Sequence, residues 1–177
     1  MICKTLFAGF GGQGILMMGQ ALAQAAMQEN LHVTYLPAYG AEVRGGTANC
    51  TVSVGDEEIA SPIASTPDYL VVMNAPAFER FQNVLRKGGS CLLNTSLIQA
   101  RSRRRDIKTY EVAASEVAET LGDVRAANMV MLGAFVKVAG LVKPGTLLGI
   151  LEGIFRKKAS VLDLNLKAFR KGYEAVA

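Results

Sequence analysis

The sequence has few of the residue types that metal centres and hydrolytic sites require. Its 177 residues include three cysteines, one histidine and no tryptophan. Cys3, Cys50 and Cys91 form no CxxC pair, and this spacing excludes an iron–sulfur cluster or a zinc site held by this chain alone. An odd number of thiols disfavours a disulfide framework and predicts a reducing, cytoplasmic environment. Since no GxSxG motif accompanies His32, a Ser-His-Asp hydrolase is also disfavoured.

Charge is missing from residues 5–28, a pattern that could indicate a signal peptide or a membrane span. However, a glycine cluster at residues 9–14 interrupts this stretch, and Gln20, Gln24 and Gln28 follow it. Only Lys4 precedes it, whereas a signal peptide begins with a more basic segment. We therefore expect no signal peptide and no membrane-spanning segment.

The net charge of +4 equals the contribution of one short arginine cluster. This cluster consists of Arg101, Arg103, Arg104 and Arg105, and the remainder of the chain is neutral. We interpret it as a solvated loop, because broad contact with phosphates needs a wider basic face. Nucleic-acid binding remains a rival that predicts steeply salt-dependent affinity.

Strand and helix patterns alternate along most of the chain, and its length predicts one domain over residues 1–177. The predicted strands cover residues 3–8, 32–36, 47–54, 69–73, 90–94 and 107–112, and Pro37 is expected to stop the second of them. We expect a hairpin turn at Gly55 and Asp56, so that residues 47–59 add an antiparallel hairpin.

Helical patterns cover residues 14–29, a segment capped by Asn74 and ended by Gly88 and Gly89, and most of the chain after Ala113. Breaks are expected at Gly122, Gly140 and Pro144. The alternation predicts an α/β fold, in which a mainly parallel sheet carries helices on both faces.

Two helices have unusually little polar surface or unusual glycine spacing. The helix over residues 14–29 has only a narrow glutamine stripe, so it is buried either by the sheet and the C-terminal helices or by another subunit. In the segment after Pro144, Gly145, Gly149 and Gly153 recur every fourth residue, a spacing that permits close approach of another backbone. We favour packing within the chain over packing against a second chain.

A GxGxxG motif links the first predicted strand to the first helix. Its residues are Gly9, Phe10, Gly11, Gly12, Gln13 and Gly14. Such a turn allows the backbone to approach a phosphate, and the N–H groups at the helix start attract an anion. The motif therefore indicates an ADP-like or pyrophosphate ligand in a Rossmann-like fold, with a turn that needs glycine for steric reasons alone as the alternative.

The expected companions of two common nucleotide motifs are absent. A dinucleotide site places Asp or Glu at the end of the second strand, but here that strand ends at Leu36, Pro37 and Ala38. The turn also lacks the Lys-Ser/Thr pair of a P-loop. Both NAD binding and ATP hydrolysis are therefore disfavoured.

A second glycine-rich segment follows the second strand and includes Glu42 and Arg44. Its position predicts that it lies at the carboxyl edge of the sheet, beside the first turn. There Arg44 would contact a phosphate or carboxylate, or it would pair with Glu42 and shape the loop. The spacing leaves both alternatives open.

Four blocks together resemble the gamma subunit of 2-oxoacid:ferredoxin oxidoreductases. They are residues 8–15 (AGFGGQGI), 39–46 (YGAEVRGG), 127–134 (ANMVMLGA) and 165–172 (NLKAFRKG). The resemblance spans nearly the whole chain, and the order and spacing of the blocks make it specific. The candidate cofactor-binding residues from the first three blocks are Gly9, Gly11, Gly12, Gln13, Gly14, Tyr39, Gly40, Glu42, Arg44, Gly45, Gly46 and Asn128.

The resemblance implies a cytoplasmic complex that oxidatively decarboxylates a 2-oxoacid, forms an acyl-CoA and passes electrons to ferredoxin. It implies alpha and beta partner subunits that carry thiamine diphosphate, a ferredoxin-like subunit, and iron–sulfur clusters on partners. This chain would then be accessory, with no catalytic residue and no metal ligand, and its glycine turn would hold the ADP phosphates of coenzyme A. The 2-oxoacid could be pyruvate, 2-oxoglutarate, a branched-chain oxoacid or indolepyruvate.

Two alternatives from other functional classes remain. One is a stand-alone nucleotide-dependent oxidoreductase that uses the same turn, and the other is a purely structural subunit. We also expect the apolar helices to favour a homodimer when partners are missing, and we expect no nucleic-acid or membrane partner.

Overall fold

Six strands form a single sheet in the computed structural model, which describes residues 1–39 and 46–176. The strands are β1 (Ile2–Phe10), β2 (His32–Tyr39), β3 (Thr47–Gly55), β4 (Tyr69–Val72), β5 (Ser90–Asn94) and β6 (Lys108–Val112). Their order across the sheet is β2-β3-β1-β4-β5-β6. Strands β1, β4, β5 and β6 are parallel, and β3 is antiparallel to both β1 and β2. The predicted α/β fold with a mainly parallel sheet is confirmed.

Helices cover both faces of the sheet, as expected, but unequally. They are α1 (Ile15–Gln28), α2 (Ala75–Phe81), α3 (Ala114–Thr120), α4 (Ala127–Ala139), α5 (Pro144–Phe155) and α6 (Ala159–Glu174). A single 3-10 turn over Val124–Ala126 leads into α4. One face of the sheet packs against α1 and the helices from α3 to α6, whereas the opposite face packs against α2 and the loop residues Leu85 and Ile98. No helix in the described part of the chain is long and apolar enough to cross a membrane.

Two expectations about the antiparallel part of the sheet were wrong. Pro37 does not stop β2, which continues to Tyr39 because β2 is an edge strand, where a proline is tolerated. The predicted turn at Gly55 and Asp56 does not form a hairpin, since the chain continues from β3 to β4. The hairpin instead joins β2 to β3, so β3 pairs on both of its edges.

Helix α2 begins as predicted but ends earlier. The Asn74 side chain accepts a hydrogen bond from the Ala77 N–H at 3.0 Å, and Pro76 lies in the first turn. The helix ends at Phe81, before Gly88 and Gly89. Gly88 has φ of +75° and belongs to the turn that leads into β5.

Helix α1 is buried by its own chain. Ile15, Met18 and Leu22 are fully covered and belong to the core between the sheet and the C-terminal helices. The glutamine stripe, represented by Gln20 and Gln24, is exposed. The apolar side of this helix is therefore buried by the sheet and the C-terminal helices, which is the first of the two alternatives.

Helix α4 lies at the centre of the core. All its residues from 127 to 136 are buried, and burial of each large apolar side chain stabilises the fold by about 1.5–3 kcal/mol. The Phe135 ring meets Phe7 edge-on at 5.3 Å and Tyr69 at 5.6 Å, measured between ring centroids. These contacts attach α4 to β1 and β4.

Close approach of helix backbones occurs between α4 and α6 rather than at the glycines of α5. A Cβ added to Gly133 would overlap the Phe169 carbonyl oxygen, and one added to Gly172 would overlap the Val130 carbonyl oxygen. By contrast, no atom of the described residues lies within 4 Å of a Cβ added to Gly145, Gly149 or Gly153. The expectation that these three glycines pack within the chain was wrong, because their face of α5 is exposed.

We predict that Gly172→Ala lowers the free energy of unfolding by about 2–3 kcal/mol, because the added methyl group meets backbone that cannot rotate away. Urea unfolding of the full chain measures this change. Gly149→Ala is the matched control. We expect it to raise stability by up to about 1 kcal/mol, since alanine favours the helix and nothing is crowded there. Equal stability of the two variants would contradict this account.

Candidate functional site

The candidate site lies at the edge of the sheet where the parallel strands end. Strand β1 leads into α1, β4 into α2 and β6 into α3 at this edge. In open α/β sheets, ligands bind outside the carboxyl ends of the strands. The glycine turn between β1 and α1 lies there, as predicted.

Two glycines of the turn have backbone angles that other residues rarely adopt. Gly12 has φ of +91°, and Gly14 has φ of +73° at the N-cap of α1. Gly11 donates its N–H to the Gly46 carbonyl at 3.1 Å, and both Gly11 and Gly12 are exposed. These residues therefore present backbone, without side chains, to any ligand at this edge.

Gly9 lies behind the turn, within β1. A Cβ at this position would lie 2.6 Å from the Ile15 Cδ1 atom and 2.7 Å from the Gln13 Oε1 atom. Only glycine fits at this position, because the side chains of Gln13 and Ile15 fold back over the strand. This packing role is an alternative to contact with a ligand.

The Gln13 side chain holds the turn in place. Its Oε1 atom accepts hydrogen bonds from the Phe10 N–H at 2.7 Å and from the Asn74 Nδ2 atom at 2.8 Å. Asn74 also caps α2, so the side-chain amide of Asn74 links the glycine turn to the segment that follows β4. The sequence predicted Gln13 as a ligand contact, whereas its acceptor atom here is used within the protein.

Several N–H groups at the start of α1 remain available. Within the described residues, no acceptor pairs with the N–H groups of Gly12, Gly14, Ile15 or Leu16. The first turn of α1 contains no acidic residue and receives no side-chain cap. Unpaired N–H groups and the positive end of the helix dipole together favour an anion at this point.

The second glycine-rich segment is only partly described. Tyr39 ends β2 opposite Ala48, and Ala48 also lies opposite Gly9, so both flanks of the hairpin reach the same edge of the sheet. The hydrogen bond from Gly11 to Gly46 joins this segment to the first turn. Four candidate residues fall outside the described residues, namely Gly40, Glu42, Arg44 and Gly45.

Asn128 connects the glycine turn to the start of α4. Its side chain is 5% exposed, its Nδ2 atom donates to the Gly14 carbonyl at 3.4 Å, and its Oδ1 atom accepts from the Met129 N–H. A Cβ on Gly14 would overlap the Asn128 side chain. The structure therefore brings together two predicted site residues that are 114 positions apart.

A cleft of about 480 Å³ opens beside the turn and contains two cations that sequence reasoning missed. It runs from Gly12 and Gly14 to Arg125 and Lys158. Its apolar lining consists of Met17, Ala126, Phe155, Val161 and Leu164. In the sequence, Arg125 and Lys158 are basic residues just before α4 and α6. Their spacing does not link them to the glycine turn, which lies more than a hundred residues earlier.

Three helices begin at this cleft. The N-caps of α1, α4 and α6 are Gly14, Ala126 and Lys158, and all three residues line it. None of these N-caps forms a side-chain hydrogen bond, and none of the three first turns contains an acidic residue. Asp123 is the acidic residue in the lining, and its pKa is lowered by hydrogen bonds from Arg125.

Nucleophilic and metal chemistry receive no support from the described residues. Burial raises the pKa of both Cys50 and Cys91 to about 12, so these thiols stay protonated near neutral pH. No group of three or more His, Cys, Asp or Glu side chains within residues 1–39 and 46–176 could hold a metal ion.

The arginine cluster lies against the end of α2. Arg104 donates to the Gln82 and Leu85 carbonyls and forms two bonds to the Asp106 carboxylate, while Arg101 pairs with Glu111 at 2.6 Å. Two of the four arginines therefore bond to other groups of the chain, some of them in β6 and in the segment after α2. This arrangement fits the interpretation as a structured, solvated loop.

Known proteins resemble this chain over almost its full length. The ketoisovalerate oxidoreductase subunit VorA of Methanothermobacter marburgensis is 40% identical over 171 residues, which cover 96% of this chain and 35% of that protein. A 2-oxoglutarate:ferredoxin oxidoreductase from Magnetococcus marinus, solved with 2-oxoglutarate, coenzyme A and succinyl-CoA bound, matches with a TM-score of 0.92 and 27% identity. That match covers 98% of this chain and 31% of the other.

A third relative has nearly the same length as this chain. The gamma subunit of a keto/oxoacid ferredoxin oxidoreductase from Geobacter sulfurreducens matches with a TM-score of 0.85 and 26% identity, over 98% of this chain and 97% of that subunit. The chain therefore spans about a third of the first two relatives and almost all of the third.

The model of one family, described as pyruvate ferredoxin/flavodoxin oxidoreductase, matches residues 4–175. This match includes the glycine turn, the Asn128 contact and the cleft between them. The chain therefore belongs to the pyruvate ferredoxin/flavodoxin oxidoreductase family.

Proposed function

We propose that this chain is an accessory subunit of a 2-oxoacid:ferredoxin oxidoreductase and that its glycine turn and cleft bind the nucleotide end of coenzyme A. The observation that carries this proposal is the set of unpaired N–H groups of Gly12, Gly14, Ile15 and Leu16, which lies beside a cleft with two cations. A relative that was solved with coenzyme A bound matches 98% of this chain.

The turn is suited to a pyrophosphate because backbone groups provide the binding. The N–H groups of Gly12, Gly14 and Ile15 donate hydrogen bonds, and the dipole of α1 favours negative charge at its start. The apolar lining, which includes Met17 and Phe155, offers a surface for the adenine ring.

The position of β3 disfavours a dinucleotide at this turn. In a dinucleotide site the strand after the first helix lies beside the first strand and carries an acidic residue for the ribose. Here β3 lies between β1 and β2, so β2 is about 9–10 Å from β1, twice the usual strand spacing. Moreover, β2 contains neither Asp nor Glu.

Within the complex, this chain would contribute binding and orientation rather than chemistry. Holding the nucleotide end of coenzyme A supplies remote binding energy, which positions the thiol at the reacting centre. Thiamine diphosphate and iron–sulfur clusters on alpha, beta and ferredoxin-like partner subunits would supply decarboxylation and electron transfer. In this proposal residues 1–177 form one gamma-type domain. The chain and its partner subunits work together in the cytoplasm.

We predict that Gly12→Asp raises the KM for coenzyme A about 10- to 100-fold in the assembled complex. The added carboxylate opposes the phosphate, and charged hydrogen bonds are worth about 1.5–3 kcal/mol. Gly12→Asn is the matched control, because it adds the same volume and the same backbone strain at φ of +91° without the charge. We expect a clearly smaller rise for this variant.

A second control places the same substitution away from the cleft. Gly140 also has positive φ, at +60°, and has open space around it, so Gly140→Asp should leave the KM for coenzyme A unchanged. The proposal fails if Gly12→Asp assembles normally and its KM equals that of the wild type. Tight binding of NADH, NADPH or ATP by the purified chain would instead support the stand-alone oxidoreductase.

The link between Gln13 and Asn74 leads to a separate prediction. Asn74→Ser keeps a residue that caps α2 but removes the amide that donates to Gln13 Oε1. We expect the KM for coenzyme A to rise about 3- to 10-fold, because one hydrogen bond contributes about 0.5–1.5 kcal/mol. Steady-state kinetics measures the KM, and urea unfolding checks that stability is retained. An unchanged KM would show that the turn holds its position without this link.

A further inference from the structure

The loop between β5 and β6 exposes an arginine at every second position. Arg101, Arg103 and Arg105 are exposed, whereas Ser102 and Arg104 between them are half-buried. This alternation is typical of an extended segment, in which residues two apart lie on the same side at a spacing of about 7 Å. We call Arg101, Arg103 and Arg105 the arginine row.

The two residues between the members of the row hold the loop against the end of α2. Arg104 Nη1 donates to the Gln82 and Leu85 carbonyls at 2.9 and 2.7 Å, and its Nε and Nη2 atoms donate to the Asp106 carboxylate. The Ser102 hydroxyl accepts from the Arg104 N–H and donates to Gln82 Oε1. Because the loop is already ordered, a partner that binds it has little ordering entropy to overcome.

Two members of the row have side chains without partners. Within residues 1–39 and 46–176, neither Arg103 nor Arg105 forms an ion pair or a side-chain hydrogen bond. Arg101 contacts the Glu111 carboxylate at 2.6 Å, and both side chains of this pair remain about half exposed. The row therefore offers two unpaired guanidinium groups beside one that already holds a carboxylate.

A cleft of about 570 Å³ lies between the row and α2. Arg101 and Arg103 line it together with Gln82 and Asn83 at the end of α2. Side-chain amides provide both donors and acceptors, which the backbone of a bound extended segment requires. The cleft is therefore suited to a segment of polypeptide whose side chains reach the arginines.

The chemistry of this surface favours a protein partner over a nucleic acid. All members of the row are arginines, and protein interfaces are enriched in arginine and depleted in lysine. A guanidinium group binds a carboxylate through two parallel N–H bonds. Glu79, Asp106 and Glu111 lie in or beside the same surface, where they would repel a continuous phosphate backbone.

We propose that the arginine row and its cleft bind an acidic, extended segment of a partner subunit, with carboxylates at alternate positions. Such a segment presents its carboxylates at the same spacing as the row. In the isolated chain the loop is solvated, and in the complex the segment covers it. The inference rests on the proposed function only for the existence of partner subunits, because this surface lies on the α2 side of the sheet, away from the cleft beside the glycine turn.

The first test measures the affinity of this chain for the remaining subunits of the complex by isothermal titration calorimetry. The double variant Arg103→Gln/Arg105→Gln should bind about 10-fold more weakly, and its affinity should depend less steeply on salt than that of the wild type. Arg156→Gln/Arg170→Gln is the matched control, because it removes two exposed arginines that have no ion pair within the described residues and do not line this cleft. We expect this control to bind like the wild type.

The second test identifies the bound segment by zero-length cross-linking. Arg103→Lys and Arg105→Lys keep the positive charge and introduce amines, which a carbodiimide joins to a carboxylate in direct contact. In the assembled complex we expect mass spectrometry to find these cross-links to Asp or Glu at alternate positions of one stretch of a partner subunit. Arg170→Lys is the matched control and should not cross-link to that stretch.

Three outcomes would overturn the inference. The first is equal affinity of the Arg103→Gln/Arg105→Gln variant and the wild type. The second is cross-linking only to Glu79 or Glu111 of the same chain. The third is steeply salt-dependent binding of RNA by the purified chain that the double variant loses, because the row would then serve a nucleic acid.

The proposed function is tested independently of the row. At saturating concentrations of the other subunits, the Arg103→Gln/Arg105→Gln complex should have the same KM for coenzyme A as the wild type. If Gly12→Asp leaves that KM unchanged while the row cross-links to a partner subunit, the coenzyme A site fails and the docking surface stands. If Gly12→Asp raises the KM while the row variants bind normally, only the docking surface fails.

Discussion

The contact between Gly14 and Asn128 is the constraint on which the candidate site depends. The start of α1 can meet the start of α4 only because Gly14 has no side chain, and Asn128 fills the space that a Cβ would occupy. This contact directs the uncapped starts of α1 and α4 toward one cleft, where α6 also begins. It leaves three helix ends without side-chain caps, and in the proposed function an anionic ligand would offset the free-energy cost of their unpaired N–H groups.

Side chains around the turn mostly shape the backbone, and the backbone would bind the ligand. Gln13 and Asn74 tie the turn to the end of β4, while Gly9 leaves room for Gln13 and Ile15. Such a rigid turn needs little reorganisation when an anion binds. This division of roles agrees with a subunit that orients a carrier while partner chains perform the reaction.

The antiparallel strand β3 separates this site from a dinucleotide fold with the same glycine motif. Because β3 pairs with β1 along its whole length, β2 is displaced to the edge of the sheet. The glycine turn retains its ability to attract phosphate, but the usual position of the ribose-binding acid is lost. In the proposed function, selection among nucleotides would therefore depend on other residues that line the cleft.

The sequence alone determined the elements whose signals are local. Residue patterns located the strands and most helix starts, and the GxGxxG motif placed the turn between β1 and α1, because neighbouring residues decide these features. Tertiary structure decided what depends on distant residues: the pairing of β3, the exposed glycines of α5, and the close approach of α4 and α6. It also brought Arg125 and Lys158 beside Gly12, since the packing of helices from separate parts of the chain, and not their spacing in sequence, sets which side chains share a cleft.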